Sequence, residues 1–234
     1  MRLLVTRPKA DSGLLMQLLE RQGHEALLAP LLDIRICDGD ELALDGVQAI
    51  LLTSANGARA FAVRSSERDL AAYCVGDATA REALRLGFEE VKSASGDVTA
   101  LAELVKAELK PADGAVVHPA GTRVAGDLAG LLVGDGYAYR REVLYEAIKA
   151  ENLPDVARAG LEAGTIDGVL LYSPRTAAAF AQLIDRAGLG TQLQTVQAYC
   201  LSQAVADQIE NLTWGAVHVA ERPEQASLLA LLEK

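Results

Sequence analysis

The chain has 234 residues, half of them hydrophobic, which is enough apolar material for one large or two small packed domains. With 22 basic and 32 acidic residues its formal charge is −10, so it lacks the broad positive field that non-specific nucleic-acid binding requires. Its 20 Gly and 7 Pro are ordinary usage, no apolar run approaches the ~20 residues of a membrane span, and the apolar run near Met1 is too short for a signal peptide.

In chain order, short apolar runs predict strands at Arg2–Thr6, Ala49–Thr53, Ala72–Val75, Ala115–His118, Gly168–Tyr172, Ala198–Leu201 and Ala216–Val219. Segments with helical periodicity come between them. Ala10–Gln22 reads as a helix with Leu14, Leu15, Leu18 and Leu19 as its apolar stripe, closed by Gly23. Thr79–Leu86 with Gly87, Asp127–Val133 with Gly134, and Thr176–Ala187 with Gly188 repeat that pattern, and Leu-rich helices are expected at Thr99–Leu109 and Gln225–Leu232. Strands that alternate with helices imply an α/β fold with parallel sheets covered on both faces. Two segments break the rhythm: Leu31–Asp38 and Arg140–Lys149 alternate apolar and polar residues, as half-exposed strands do. They read either as surface edge strands or as an antiparallel ribbon tying two domains together.

The two halves of the chain resemble each other. Ala49–Ala62 aligns with Gly168–Ala181 at 7 identities in 14 positions, including Ser54 with Ser173 and Phe61 with Phe180. Ala72-Tyr73-Cys74 recurs as Ala198-Tyr199-Cys200. A period this long is not a solenoid unit; it predicts two similar α/β domains.

Cys37, Cys74 and Cys200 are an odd number without close spacing, which argues against a disulfide framework or zinc cage and fits a reducing cytosol. His24, His118 and His218 lack metal-ligand spacing, and His118 and His218 read as incidental residues ending strands. No metal and no cofactor are expected. What recurs is a polar turn at the carboxyl end of a strand, expected to feed a helix: Thr6-Arg7-Pro8, Thr53-Ser54-Ala55-Asn56, Gly76-Asp77-Ala78-Thr79, Pro119-Ala120-Gly121-Thr122-Arg123, and Ser173-Pro174-Arg175-Thr176. Helix N-termini carry unpaired amides and the positive end of the dipole. With Arg7, Arg123 and Arg175 beside three of the turns, they predict a cleft for an anionic ligand, either in an enzyme or in a non-catalytic two-domain small-anion-binding protein.

The ordered set LVTRP (Leu4–Pro8), LLTSANG (Leu51–Gly57), VGDATAREALRLGF (Val75–Phe88), the segment Gly121–Gly136, VLYEA (Val143–Ala147) and LLYSPRTAAAF (Leu170–Phe180) resembles the uroporphyrinogen-III synthase family over essentially the whole chain. The resemblance implies two α/β domains, 1–31 with 149–234 and 39–140, joined by ribbon strands 32–38 and 141–148, with the active site in the cleft between them. It implies a cytoplasmic, monomeric lyase of tetrapyrrole and haem synthesis that needs no cofactor. Such a lyase cyclises hydroxymethylbilane, a linear tetrapyrrole with eight carboxylates, to uroporphyrinogen III, inverting ring D and losing water. By the same resemblance Tyr145 assists departure of the hydroxyl and Thr79 belongs to the catalytic turn. Arg7, Thr53, Ser54, Asn56, Gly76, Gly121, Arg123, Ser173, Pro174 and Arg175 would hold the substrate. One departure stands out: the family threonine of the second repeat is Val205 here, which excludes a catalytic hydroxyl at that position.

Overall fold

The computed structural model describes residues 1–124 and 126–233. In chain order they form β1 (Arg2–Val5), α1 (Gly13–Arg21), β2 (Glu25–Leu28), β3 (Leu32–Ile36), β4 (Val47–Leu52), α2 (Ala55–Arg64), β5 (Ala71–Cys74), α3 (Asp77–Arg85), β6 (Val91–Ser93), α4 (Val98–Glu108), β7 (Ala115–Gly121), α5 (Leu128–Val133) and β8 (Tyr139–Lys149). There follow α6 (Asp155–Glu162), β9 (Gly168–Leu171), α7 (Pro174–Ala187), β10 (Gln197–Cys200), α8 (Gln203–Ala206), β11 (Ala216–Val219) and α9 (Gln225–Leu229), which runs on into a short 3₁₀ turn. The chain divides into two compact units, Met1–Asp33 with Ile148–Lys234, and Ile34–Ala147.

The first unit holds a parallel sheet in the order β11-β10-β9-β1-β2. Its strands are apolar on both faces because both are covered. Leu4, Val169 and Leu171 pack under α6 and α7, while Leu3, Val5 and Leu170 meet Leu15 and Leu19 of α1 and Leu228 and Leu229 of α9. The four-leucine stripe expected on α1 is split: Leu15 and Leu19 are buried, whereas Leu14 is 82% exposed. Neighbouring helical residues lie about 100° apart, and only one of the two leucine rows reaches the sheet.

The second unit holds a sheet in the order β3-β8-β7-β4-β5-β6, parallel from β8 to β6. Ile50, Leu52, Val117 and Leu144 pack against Phe61 of α2 and Ala83 of α3. Ala49, Leu51 and Val116 pack against Leu101 and Val105 of α4 and Leu128 and Leu132 of α5. At the edge β3 lies beside β8; Cys37 N–H donates to Leu144 O at 2.8 Å and Ala150 N–H to Leu31 O at 3.0 Å, an opposed numbering that marks an antiparallel pair. The boundary between the two units falls inside both of these strands.

Several local expectations need correction. β2 and β6, short strands at sheet edges, and helices α6 and α8 add to the elements set out above, while α2 is the helix expected after the turn Thr53–Asn56. Gly134 has right-handed dihedrals, φ −60°; the left-handed residue after α5 is Gly136, φ +87°. β7 does not end at His118 but continues to Gly121, so Pro119–Gly121 is strand rather than a turn feeding a helix. Gly23, Gly87 and Gly188 do take positive φ at the ends of their helices.

Candidate functional site

In an open α/β sheet, a crevice opens outside the carboxyl ends of the strands where the strand order reverses. In the second unit that place is between β4 and β7: the chain leaves β4 toward β5 and β6 on one side and later returns to lay β7 and β8 on the other. The first unit reverses between β1 and β9. The polar turns after β4, β1 and β9 therefore all stand at a reversal point.

In the second unit Ser54 caps α2, its Oγ accepting from Gly57 N–H at 3.1 Å. The same Oγ lies 2.9 Å from the Tyr145 hydroxyl. Two sequence-local features bring Tyr145 there. β8 carries a bulge against β7: Ala120 sits beside Val143, but Gly121 sits beside Tyr145, so one extra residue re-aims the tyrosine. Gly121 then leaves room for the ring, since a Cβ on it would stand 2.8 Å from Tyr145 Cε2 and 2.9 Å from Cζ. Gly121 thus serves by its missing side chain. Tyr145 is half-buried.

Thr53, one residue before Ser54, belongs to the other face of the sheet. Its Oγ1 lies 2.9 Å from His118 Nε2, and His118 Nδ1 hydrogen-bonds the Tyr139 hydroxyl. His118 is 2% exposed, inside β7 and not at its end. Burial and the nearby Arg141 guanidinium hold its pKa down to about 4, so the ring is neutral at pH 7. Burial likewise pushes the Tyr139 phenol up to about 12. Arg141 Nη2 donates to the carbonyls of Gly121, at 2.6 Å, and Thr122, at 3.1 Å, fixing the chain as it leaves β7. His118, Tyr139 and Arg141 were not expected at the site. Their sequence signal is faint, because only the register of β7 on β8 (Val116 beside Tyr139, His118 beside Arg141) brings them together.

The remaining candidates separate. Gly76 is the N-cap of α3 and has no side chain to occupy the helix end; its carbonyl accepts from Thr79 and Ala80 N–H, each at 3.0 Å, and Thr79 is buried. Asn56 Oδ1 accepts from Arg59 Nη1 at 2.9 Å, and Arg59 Nε pairs with Glu82 Oε1 at 2.6 Å, tying α2 to α3. Hydrogen bonds from Arg85, against the cost of burial, and from Arg59 hold Glu82 down to about 2. Arg123 is exposed in the loop after β7 and not at a helix N-terminus, as the expectation had it.

In the first unit Ser173 caps α7: its Oγ accepts from Thr176 N–H at 3.2 Å and lies 2.9 Å from Thr176 Oγ1, with Pro174 at the first helical position. Arg175 follows, half-buried in the first turn. The Arg7 guanidinium lies 4.6 Å from the Tyr172 ring centre and donates to Gln225 Oε1 at 3.2 Å. The turn after β1 leads into a 3₁₀ segment, Lys9–Asp11, before α1. Val205 is 1% exposed in the core of this unit, so its apolar side chain packs where a hydroxyl would need a buried partner.

Cys74 and Cys200 are buried in strands, and burial pushes each thiol up to about 12. Among the described residues no group of three His, Cys, Asp or Glu is placed to hold a metal ion, and no helix is long and apolar enough to cross a membrane.

The family model described as Uroporphyrinogen-III synthase HemD matches residues 14–230. Among solved structures, uroporphyrinogen-III synthetase from Helicobacter pylori is similar at a TM-score of 0.64 and 16% identity, over 100% of this chain and 99% of that one. A mutant uroporphyrinogen III synthase from Thermus thermophilus follows at a TM-score of 0.49 and 17% identity, over 100% of this chain and 97% of that one. At such identity the likeness to the Helicobacter pylori structure speaks for the fold alone. No curated protein sequence matches the chain significantly.

Proposed function

The chain belongs to the uroporphyrinogen-III synthase family and is a cyclising lyase of tetrapyrrole synthesis, and from that premise we propose that Tyr145 and the polar strand ends around it run the ring closure. The observation that carries this reading is the Tyr145 hydroxyl, 2.9 Å from Ser54 Oγ beside the reversal point of the second sheet. Ser54 Oγ accepts from Gly57 N–H, and in this proposal the serine proton is donated to the tyrosine oxygen. The phenol proton is then free to be offered to the hydroxyl of hydroxymethylbilane.

The reaction needs little more from the protein. As the hydroxyl leaves, protonated, as water, the pyrrole nitrogen supplies the electron pair and an azafulvene forms. The substituted carbon of ring D attacks it to give a spiro intermediate. That intermediate fragments and recloses with ring D inverted, and loss of a proton restores the aromatic pyrrole. The protein's tasks are to hold the carboxylates and the bent chain, and to assist the first departure; these are positioning and electrostatics. Thr53, Ser54, Asn56, Gly76 and Thr79 of the second unit, with Gly121 as the space-maker and Arg123 at the exposed loop, form one set of contacts. Arg7, Ser173, Pro174 and Arg175 form the other. The uncapped start of α3 at Gly76 and the capped start of α7 at Ser173 support carboxylate binding there.

The two units act in this proposal as two domains, 1–31 with 149–234 and 39–140, joined by ribbon strands 32–38 and 141–148, with the substrate taken up between them. The unit boundary inside both β3 and β8 supports it. The same proposal has the protein working as a cytoplasmic monomer, without a cofactor and without nucleic acid. The alternative of a non-catalytic small-anion binder has no such support from the family.

The test is direct. The protein is incubated with enzymatically generated hydroxymethylbilane, and the type I and type III products are resolved. Unaided closure gives type I, so type III above that background is the expected result. In Tyr145→Phe the type III rate falls at least ~10-fold, the low side of what general-acid assistance supplies. Near-normal turnover in a folded Phe variant would remove Tyr145 from the reaction and make Thr79 the next position to vary.

A further inference from the structure

We propose that His118 is a positioning residue: held between Tyr139 and Thr53, it fixes the Thr53 hydroxyl as a hydrogen-bond donor toward a substrate carboxylate. This rests on the reading above, in which Thr53 meets the substrate.

The argument is one of direction. A neutral imidazole has one N–H donor and one bare nitrogen acceptor. His118 spends both of them inside the protein, Nε2 on Thr53 Oγ1 at 2.9 Å and Nδ1 on the Tyr139 hydroxyl. The three groups can therefore be ordered in two ways. In the first, Tyr139 O–H donates to Nδ1, Nε2–H donates to Thr53 Oγ1, and the threonine proton points away from the ring. In the second, Thr53 donates to Nε2 and Nδ1–H donates to Tyr139, which leaves Thr53 with no proton to offer. A carboxylate only accepts, so it can be held by Thr53 only in the first order.

The surroundings select the first order before any ligand arrives. Among the described residues the Tyr139 hydroxyl, on a half-buried side chain, has His118 as its hydrogen-bond partner, so within the protein its proton is satisfied only by donating to Nδ1. The Tyr139 ring packs with the buried cluster of Leu51, Val116 and Tyr137, where an unpaired hydroxyl proton is costly. Burial of His118, with the neighbouring Arg141 guanidinium, keeps the ring neutral, which the relay requires, since an imidazolium has no acceptor. Thr53 is half-buried and stands next to Ser54, whose hydroxyl meets Tyr145. The two consecutive hydroxyls are thus set by two different aromatic partners, one on each face of the sheet: Ser54 with Tyr145, and Thr53 through His118 with Tyr139.

The experiment has a kinetic and a spectroscopic arm. In the full-length protein, Thr53→Val raises KM for hydroxymethylbilane about tenfold, the effect of one lost hydrogen bond to a charged group. His118→Phe and Tyr139→Phe raise KM several-fold while kcat stays within about twofold, and Thr53→Val with His118→Phe raises it no further than Thr53→Val alone. If Thr53→Val raises KM while His118→Phe and Tyr139→Phe leave it at the wild-type value, the relay is overturned and the site reading stands. If Thr53→Val itself leaves KM unchanged, Thr53 does not meet the substrate and both fail. Tyr139→Phe keeps the aromatic ring, so it serves if His118→Phe does not fold. Independently of any variant, long-range ¹H–¹⁵N spectra of the wild-type protein with uroporphyrinogen III bound show His118 as the Nε2–H tautomer. An Nδ1–H tautomer or an imidazolium in that complex refutes the proposal.

Discussion

Tyr145 and Gly121 form a pair in which one residue supplies a ring and the other the absence of a side chain. Gly121→Ala brings a methyl within 2.8 Å of Tyr145 Cε2 and 3.2 Å of its hydroxyl, so the ring must move. We expect a loss of about 1–3 kcal/mol in urea unfolding, the usual effect of overpacking, together with a fall in type III formation. Because the clash is with the ring, Tyr145→Ala in the same chain relieves it, and the two stability changes are not additive. His118 gives a second prediction at this scale. Its folded pKa of about 4 lies below the unfolded value near 6.5. Between those values the unfolded chain binds a proton that the folded one does not. Its contribution is therefore fully present above pH ~6.5 and is lost as pH falls toward 4, at roughly 1.4 kcal/mol per pH unit. Wild-type stability should drop by about 2 kcal/mol from pH 6.5 to 5 on this account. His118→Asn should be less stable at pH 7 but flatter over that range, as followed by chemical denaturation at each pH.

At the scale of elements, the repeat seen in the sequence becomes two helices built alike. α2 and α7 each start at a capping serine, Ser54 and Ser173, and each buries a phenylalanine completely, Phe61 and Phe180. Phe61 meets Phe88 at 5.5 Å between ring centres, and Phe180 meets Trp214 at 5.6 Å. Truncating either to Ala should cost about 3–5 kcal/mol, as deletion of a large buried ring does, and the two should be similar when read by thermal unfolding. The caps differ in a telling way. Ser173 Oγ also meets Thr176 Oγ1, whereas Ser54 Oγ also meets the Tyr145 hydroxyl. Ser173→Ala and Ser54→Ala should each cost about 1 kcal/mol as lost caps. Only Ser54→Ala should also slow the chemical step, measured as kcat for the type III product, since it removes the hydrogen-bond partner of the Tyr145 hydroxyl.

At the scale of the molecule, a chain of net charge −10 takes an octa-anionic substrate in the proposed reaction. Net charge sets solubility and long-range repulsion; affinity comes from the local field at helix starts and arginines. Raising the ionic strength from about 0.05 to 0.5 M shortens the screening length from somewhat above 10 Å to below 8 Å. The proposed contacts to carboxylates are partly exposed, so KM for hydroxymethylbilane should rise over that range while kcat changes little. A flat KM would count against carboxylates held at strand and helix ends. The long-range repulsion acts in the opposite direction, so the rise should be gentler than the number of contacts alone suggests.

Much of this molecule was legible in its residues. Doubly covered strands need continuous apolar runs, and Ile50-Leu51-Leu52 and Val169-Leu170-Leu171 are just such runs, so the parallel α/β class followed from hydrophobicity alone. Glycines 23, 87 and 188 marked helix ends because left-handed dihedrals cost little without a Cβ. The capping serines were legible for a similar local reason. What sequence reasoning could not reach depends on which strands lie side by side. His118 read as incidental because its partners, Thr53 and Tyr139, are 65 and 21 residues away, joined only through the pairing of β7 with its two neighbours. Gly121 read as part of an anion-binding turn, but β7 runs through it, and a bulge in β8 decides that Tyr145 stands beside it. Local chemistry writes periodicity and caps into consecutive residues. Register is settled by packing between distant segments, and in this protein the relay and the tyrosine slot are both products of register.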